Sequence, residues 1–338
     1  MTAPVRTPIV VGVDAASPCR TALAWGADDA HRRCLPLRLV LAQRPVDQRG
    51  PVPLRRRGRA TRLPGIRQAR DPRAAAEQAL REAVAFVRSR HPRLEVSMLL
   101  AADAPVPVLR RQVRTAAALV LGSRGPSRRQ GPFPTASVAL PVIAHATCPV
   151  VLVRETASSR QPPFLVVGVN VGWDGRRHSA AAVIHAFEEA ARRGVTLRVL
   201  HVWRPPLLGV LDEQAAVREC RRMLSDMVAG WRVAHPEVDV HHAVLSGHPA
   251  QVLTQESAHA LALVVGTRGH GGASGPLRGS LIFRTLRRAR CPVVVVPQPG
   301  ACHRTRGGPR LRRLSRGPRV AVGRWVRLVA SFARARPQ

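Results

Sequence analysis

The segment 261–280, LALVVGTRGHGGASGPLRGS, is the most informative part of this chain of 338 residues. A short apolar run ends at Gly266, a glycine-rich loop follows, and Gly279 and Ser280 stand where a helix is predicted to begin. Apolar runs of this length are typical of strands. Glycines let a backbone approach phosphate oxygens, and free amides at a helix N-terminus attract anions. The spacing G-x2-G-x9-G-S therefore predicts a strand, an anion-binding loop and a helix.

A weaker copy of this segment lies in the first half of the chain. Gly122 and Gly125 correspond to Gly266 and Gly269 at an offset of 144 residues. The offset is 156 between the glycines of the first strands and 160 at Arg44-Pro45, so the first half carries sixteen extra residues after that point. Two copies of one domain follow. We predict domains at 4–154 and 164–298, a linker at 155–163 and an Arg-rich tail at 299–338.

Five short Val/Leu-rich runs alternate with helical stretches in each copy. Near-continuous apolar runs favour strands that are buried on both faces of a parallel sheet. The predicted fold is α/β, with two repeated domains that are each an open five-stranded parallel sheet with helices on both faces. The predicted strands are Ile9–Val13, Leu37–Leu41, Leu94–Leu100, Ala118–Leu121, Val150–Val153, Leu165–Val169, Leu197–Val202, Val238–Leu245, Leu261–Val265 and Val293–Val296.

Helix boundaries are indicated by capping residues. Ser17, followed by Pro18, predicts the start of the first helix, and Gly194 predicts the end of its counterpart in the second copy. The remaining predicted helices are Asp71–Arg90, Asp212–Ala234, one that opens at Gly247-His248-Pro249, and Ser280–Arg290.

The charge is extreme, with 54 basic and 20 acidic residues and a formal net charge of +34. All the basic residues are arginine, and the absence of lysine excludes a Walker P-loop and Schiff-base chemistry. A GC-rich codon bias explains arginine in place of lysine but does not explain the shortage of acids. The surplus would attract polyanions, so nucleic acid and anionic membranes stay open as partners.

Other features favour a binding protein in the cytoplasm. No signal peptide is recognisable, no apolar run reaches the ~18 residues of a membrane span, and the six cysteines form no C-x-x-C pair. We expect buried, reduced thiols and no zinc site. The sequence shows no nucleophile elbow and no catalytic acid pair, so no catalytic residue is assigned.

The glycine pattern, together with the strand Val11-Gly12-Val13-Asp14, resembles the universal stress protein family in tandem form. The resemblance covers both copies. It implies a Rossmann-like, adenine nucleotide alpha hydrolase-like sheet and a regulator of stress responses, often dimeric. One branch of that family binds ATP through G-x2-G-x9-G-S/T, and some members hydrolyse ATP slowly. The implied cofactor is ATP, with magnesium facing Ser280 left open.

The resemblance assigns most candidate site residues to the second copy. Gly266, Gly269, Gly279 and Ser280 would lie on the phosphate side, and Val202 and Val265 would line the adenine pocket. The acid that contacts the ribose in the family is replaced by Asn170, which cannot supply a carboxylate, so a weaker site is expected. The remaining candidates in this copy are Val169, Leu281 and Ile282.

The first copy shows the opposite defect. It keeps Asp14, but ten residues separate Gly125 from Ala136, which replaces the glycine. Prolines at 126, 132 and 134 stiffen the loop and remove amide donors. We expect this copy to bind nucleotide poorly or not at all. Its candidate contacts are Asp14, Gly122 and Gly125.

The predicted partners follow from these sites. The two copies are expected to pack as an intramolecular pseudo-dimer through the fifth strands, Val150–Val153 and Val293–Val296, by analogy with the family. A homodimer is left open. The alternative function is a polyanion-binding module that uses the Arg-rich loop 54–73 and the C-terminal tail to contact nucleic acid or an anionic membrane.

Overall fold

The structure is a computed structural model, and it describes residues 6–15, 19–44, 72–123, 136–154, 163–170, 179–204, 212–267 and 281–298. Strands and helices alternate in both halves. The first half contains β1 (Ile9–Gly12), α1 (Arg20–Arg32), β2 (Leu37–Ala42), α2 (Pro72–Arg90), β3 (Val96–Ala101), α3 (Pro105–Gln112), β4 (Ala118–Ser123), α4 (Ala136–Ile143) and β5 (Val150–Arg154). The second contains β6 (Phe164–Val169), α5 (Ala180–Arg193), β7 (Thr196–Trp203), α6 (Glu213–Ala234), β8 (Val240–Ser246), α7 (Pro249–Glu256), β9 (Ala262–Gly266), α8 (Leu281–Arg288) and β10 (Val293–Val296).

The strands form one ten-stranded sheet in the order β3-β2-β1-β4-β5-β10-β9-β6-β7-β8. Within each half every pairing is parallel. Parallel neighbours need a crossover, and the helices supply it. The predicted fold class is confirmed.

The two halves meet at their fifth strands, as predicted, but these strands pair antiparallel rather than parallel. β5 and β10 pair antiparallel, with Val151 opposite Val294, and both side chains are buried. The five strands of one half therefore run opposite to the five strands of the other.

Apolar side chains alternate between the two faces of the sheet. Ile9 and Val11 join the core on one face, and Val10 joins the core on the other. Helices α1, α2, α5 and α6 contribute to the first core, and α3, α4, α7 and α8 contribute to the second. This alternation has period two, which is the geometry of a strand.

Helix ends agree with the sequence in the second half better than in the first. Gly194 ends α5 with a positive φ of 61°, as predicted, and Asp212 caps α6 by accepting a hydrogen bond from the Ala215 amide at 2.8 Å. The prediction for α1 is wrong, because this helix begins at Arg20 with Cys19 as its N-cap. Ser17 and Pro18 lie outside the described residues.

A cluster of buried ionic side chains joins the last turns of α1 and α5. Arg33 bonds Asp29 within its own half, with 2.9 Å between Nε and Oδ1, and Glu189 across the interface, with 3.0 Å between Nη2 and Oε2. Arg193 pairs with Glu189, and its guanidinium lies 4.3 Å from the centre of the Trp25 ring. Ion pairs with this degree of burial favour one relative placement of the two halves.

The two carboxyl groups of this cluster shift in opposite directions. Burial opposes ionisation of Glu189, but the guanidinium groups of Arg193, Arg33 and Arg192 outweigh it and lower the pKa to about 2. Burial and the nearby charge of Glu189 raise the pKa of Asp29. Glu189 is therefore the ionised acid that pairs with arginines of both halves, Arg33 and Arg193.

The described cysteines depart from the expectation of buried thiols at two positions. Cys148, Cys220 and Cys291 are buried, whereas Cys34 is exposed and Cys19 is half-buried. These five thiols are free, and burial raises the pKa of Cys148 to about 12. Cys302 belongs to the tail 299–338, which lies outside the described residues, as does the Arg-rich loop up to residue 71. In the part of the chain that the structure describes, no helix combines the length and apolar character needed to cross a bilayer.

Candidate functional site

A cleft opens at the carboxyl ends of β6, β7 and β9. β6 lies at the topological switch point of this half of the sheet, because β7 is its neighbour on one side and β9 is its neighbour on the other. Ligands bind open α/β sheets at such positions. The space that the centre of a water molecule can occupy is about 20 Å³, and the whole cleft with its opening to solvent is about 400 Å³. It is lined by Gly168, Val169, Asn170, Ser179, Leu200, Val202, Pro249, Leu253, Val265, Gly266 and Leu281.

Close packing at Gly168 shapes the floor of the cleft. This glycine pairs with Val265 in the sheet, and a Cβ atom added to it would stand 2.8 Å from Cδ1 of Leu253. Any larger residue would displace Leu253, which itself lines the cleft. The absent side chain thus lets α7 lie against the strand end.

A turn at Gly247 brings the start of α7 to the cleft. Gly247 has a φ of +140°, which few other residues adopt, and its amide donates to the Trp203 carbonyl at 3.1 Å. His248 then caps the helix, and Pro249 occupies its first turn, where no amide donor is needed. The turn therefore positions Pro249 and Leu253 as one wall.

The cleft is divided into an apolar and a polar part. Leu200, Val202, Leu253 and Val265 are almost fully buried and make the apolar part. A hydrogen bond of 2.9 Å from the Asn170 amide to the Ser179 hydroxyl oxygen defines the polar part. Such a lining suits a ligand with one flat apolar end and one polar end.

The polar pair also fixes where α5 begins. Ser179 is the N-cap of α5, and its side chain accepts from Asn170 rather than from the first turn of its own helix. That turn contains no acidic residue. The positive end of a helix of 14 residues therefore borders the cleft beside Asn170.

Two histidines lie near this site. The His201 side chain is buried, with its Nδ1 3.2 Å from the Val169 carbonyl oxygen. On α8, Arg284 Nη1 donates at 2.6 Å to Nε2 of His248, the N-cap residue of α7. Because a guanidinium cannot accept, Arg284 is the donor of this hydrogen bond and His248 Nε2 is the acceptor. Among the arginines of α8 with a recorded contact, Arg284 is the closest in sequence to the first residue of the helix.

The beginning of the glycine loop is held against the neighbouring strand. The Thr267 amide donates to the Val296 carbonyl at 2.9 Å, and the Gln298 amide donates to the Thr267 hydroxyl oxygen at 3.3 Å. These bonds extend the pairing of β9 and β10 by one residue beyond Gly266.

The structure brings six of the predicted site residues together at this cleft: Val169, Asn170, Val202, Val265, Gly266 and Leu281. Ile282 belongs to the same helix as Leu281 but is buried in the core beneath it. Gly269, Gly279 and Ser280 lie outside the described residues, so their contacts stay predictions.

Five lining residues are absent from the sequence prediction: Gly168, Ser179, Leu200, Pro249 and Leu253. Ser179 carried a signal, because it directly precedes the alanine-rich start of a helix. Gly168 was recognised as part of the repeat but not as a floor residue. Leu200 and Leu253 resemble any other core leucine in the sequence.

The corresponding edge of the first half is built differently. Asp14 is exposed at the place of Asn170, and Cys19 takes the place of Ser179 as the N-cap. A Cβ atom on Gly122 would stand 2.4 Å from the Cβ of Cys19, so the cysteine packs directly against this glycine. Gly125 lies outside the described residues.

Among the described residues, no group of three or more His, Cys, Asp or Glu side chains is placed to hold a metal ion. The donors at the cleft are hydroxyl, amide and backbone groups.

Comparisons with known proteins agree on one family. The model of the Universal stress protein family matches residues 6–154 and again residues 168–297. Universal stress protein Rv2005c of Mycobacterium tuberculosis is 34% identical over 297 residues, which are 86% of this chain and 97% of that protein. The crystal structure of a universal stress protein from Archaeoglobus fulgidus covers 86% of this chain and 96% of its own, with a TM-score of 0.55 and 14% identity.

A family protein from Arabidopsis thaliana was solved with AMP bound. It is 20% identical, covers 41% of this chain and 93% of its own, and has a TM-score of 0.30. The two profile matches and the tandem relatives, taken with the duplicated parallel sheet, show that this chain belongs to the universal stress protein family and carries two domains of that family.

Proposed function

We propose that this protein is an adenine-nucleotide-binding regulator of the stress response, with ATP as the ligand and with its site mainly in the second domain. The observation that carries the proposal is the cleft at the carboxyl ends of β6, β7 and β9, where apolar walls face a polar corner. The glycine pattern of the sequence begins at Gly266, at the edge of the same cleft.

The parts of a nucleotide match the parts of the cleft. A flat, apolar base fits between Leu200, Val202 and Leu253, whose side chains are buried. Phosphates carry charge and accept hydrogen bonds, so they suit the backbone amides after Gly266 and the N-terminal turn of α8, which begins at Leu281. Asn170 and Ser179 remain for the sugar hydroxyls.

The described chemistry supports binding rather than turnover. The polar side chains in the described lining are an amide and a hydroxyl, and neither is a general base. The described lining of the cleft contains no carboxylate, and the aspartate that the repeat matches to Asn170 is Asp14 of the first domain. We therefore propose a sensor, with ATP hydrolysis slow at most.

Titration calorimetry with ATP tests this proposal. Gly279→Val puts a branched side chain into the predicted phosphate loop and should weaken ATP binding by at least tenfold. Ala136→Val makes a related change at the corresponding position of the first domain and should leave binding within twofold. Equal binding by wild type and Gly279→Val, or loss of binding in Ala136→Val alone, would contradict a site in the second domain.

Polyanion binding through residues 54–73 and the tail 299–338 stays a prediction from charge and composition. It has its own signature, because phosphate contacts give a steep salt dependence. Deleting the tail should remove such binding without changing the ATP titration.

A further inference from the structure

We propose that the exposed side of α8, with the turn that follows it, is a contact surface for the phosphate backbone of a double-stranded nucleic acid. The side chains that form this surface are Arg284, Arg287, Arg288 and Arg290, which we call the α8 arginines. All four are exposed. The proposal goes beyond the nucleotide function proposed above and does not rest on the cleft.

The helix itself groups these charges. Arg284, Arg287 and Arg288 are spaced i, i+3 and i+4, so they are neighbours on one side of α8. The opposite side is buried through Ile282 and Leu286. Like charges at this spacing destabilise a helix. An anionic partner would remove that cost.

The repeat shows that the domain fold does not need the α8 arginines. The two copies are offset by 143 residues at Cys148 and Cys291, next to this segment. At that offset, the α8 arginines correspond in the first domain to Pro141, Ala144, His145 and Thr147. None of these is an arginine, and α4 still packs into the same core as α8. The charge is therefore specific to the second domain.

The recorded contacts of this segment do not neutralise it. Arg284 donates to neutral acceptor Nε2 of His248, and the Arg287 guanidinium lies 5.8 Å from the centre of the Phe283 ring. The carbonyl end of the helix has another partner, because Arg154 of the first domain donates to the Leu286 carbonyl.

Acidic residues are concentrated on the other face of the sheet. The described helices of the first core, α1, α2, α5 and α6, contain nine acidic residues. Those of the second core, α3, α4, α7 and α8, contain one, Glu256. Outside the described residues, the segments 124–135, 268–280 and 299–338 contain arginine but no acid, and 155–162 contains one charge of each sign.

The apolar side chains favour a nucleic acid over a membrane. Amphipathic helices that bind bilayers insert their apolar side. In α8 that side is occupied, because Ile282 and Leu286 are buried in the second core. The large apolar side chains that are exposed among the described residues, Met98, Ile184 and Val233, belong to β3, α5 and α6. The exposed side of α8 thus offers charge without an apolar group to insert.

The dimensions favour a duplex. A helix of eight residues is about 12 Å long, and each strand of a duplex carries a phosphate about every 3.4 Å along the axis. About three phosphates of one strand therefore match the length of α8. Single strands are held largely by stacking on aromatic rings. Phe283, the aromatic residue of α8, is half-buried beneath Arg287.

Fluorescence anisotropy with a DNA duplex of about 24 base pairs tests the proposal on the full-length protein. The variant Arg287→Gln/Arg288→Gln/Arg290→Gln removes three α8 arginines and keeps Arg284, which contacts His248. It should weaken duplex binding at least tenfold at 150 mM salt. Because three phosphate contacts are lost, the slope of log affinity against log salt should become shallower by about 2–3.

The matched control removes the same charge from the other face. Arg218→Gln/Arg221→Gln/Arg232→Gln changes three exposed arginines of α6. It should leave duplex affinity within threefold of the wild type. The tail 299–338 is present in every protein compared, so its contribution cancels.

Three results would overturn the proposal. Equal losses in the two triple variants would mean that net charge alone attracts the duplex. No loss in either variant, or no duplex binding by the wild type, would exclude α8 as the contact surface. Vesicles of phosphatidylcholine with phosphatidylglycerol are the second probe. If only vesicle binding depends on the α8 arginines, the partner is a membrane and the proposal is wrong.

A measurement on the wild type decides if the α8 variant does not fold. Phenylglyoxal modifies exposed arginines, and mass spectrometry of peptides locates the modified positions. The duplex should protect Arg287 and Arg288 at least fivefold more than Arg218 and Arg221. Equal protection of the two helices would contradict a contact at α8.

Discussion

Arg33 of the first domain and Glu189 of the second form an ion pair across the domain interface, with 3.0 Å between Nη2 and Oε2. In the repeat, Asp29 corresponds to Glu189 and Arg33 corresponds to Arg193, both at an offset of 160 residues. Each domain thus contributes one acid and one arginine from the C-terminal end of the corresponding helix, which is α1 in the first domain and α5 in the second. The duplicated sequence has produced an interface that is ionic and nearly symmetric.

Removing Glu189 should destabilise the protein strongly. In Glu189→Ala, Arg33 and Arg193 remain buried without their shared acid, which typically costs about 3–5 kcal/mol. Urea unfolding followed by circular dichroism measures the loss. Glu188→Ala, one residue earlier, removes a half-exposed acid that pairs with Arg192 and should cost less than about 1 kcal/mol. Equal losses in the two variants would contradict a buried interdomain role for Glu189.

Stability should fall as the pH is lowered from about 6.5 to about 4, because of His185. Burial, which exceeds the attraction of Glu189, lowers the pKa of this histidine to about 4. The unfolded chain therefore binds a proton in this range that the folded protein does not, so stability rises with pH across it, by about 1–3 kcal/mol.

Urea midpoints at pH 7 and pH 4.5 measure this contribution. His185→Leu should lose a large part of the difference between the two midpoints. His259→Leu removes an exposed histidine of the same domain and should keep the difference. A wild-type slope in His185→Leu would assign the effect to other groups.

Two equivalent left-handed positions should respond oppositely to substitution. Gly194 has a φ of 61°, and Cys34, at the same place after α1, has a φ of 52°. Gly194→Ala meets no neighbouring atom within 4 Å, so its expected cost of about 1 kcal/mol is conformational. Cys34→Gly should stabilise by about 0.5–1 kcal/mol. Thermal unfolding of both variants measures this, and a stabilising Gly194→Ala would be the contrary result.

Gly168→Ala should lower both stability and nucleotide affinity. The new Cβ would stand 2.8 Å from Leu253, which must move within a packed wall of the cleft, at a typical cost of about 1–3 kcal/mol. Gly230→Ala is the matched control, because this glycine lies within α6 with no atom within 4 Å of an added Cβ. It should stabilise by about 0.5–1 kcal/mol and leave affinity unchanged. Calorimetry and urea unfolding together provide the measurements.

The strands were predictable because their signals are local. Val293–Val296 has the predicted bounds, since four valines stand directly between two prolines. The start of α1 was not predictable from the Ser17-Pro18 pair, because the cap is supplied two residues later by Cys19, which packs on Gly122 more than a hundred residues away. Tertiary contacts of this kind leave no periodic pattern in the sequence.

The cleft was predictable only where glycine or strand ends indicated it. Asn170 and Gly266 end apolar runs, so their positions at the sheet edge followed from topology. Leu253 lines the cleft because Gly168 lets α7 approach, and that depends on the packing of two distant segments. The ionic cluster of Arg33 and Glu189 was missed for the same reason: each residue resembles an ordinary helix-surface charge in the sequence.

The antiparallel contact between β5 and β10 gives the protein two different poles. Strand ends with Asp14 and Gly122 point to one pole, and strand ends with Asn170 and Gly266 point to the opposite one. A partner that senses an occupied second-domain cleft must therefore approach from that side. The opposite pole, where Cys19 packs against Gly122, faces away from such a partner.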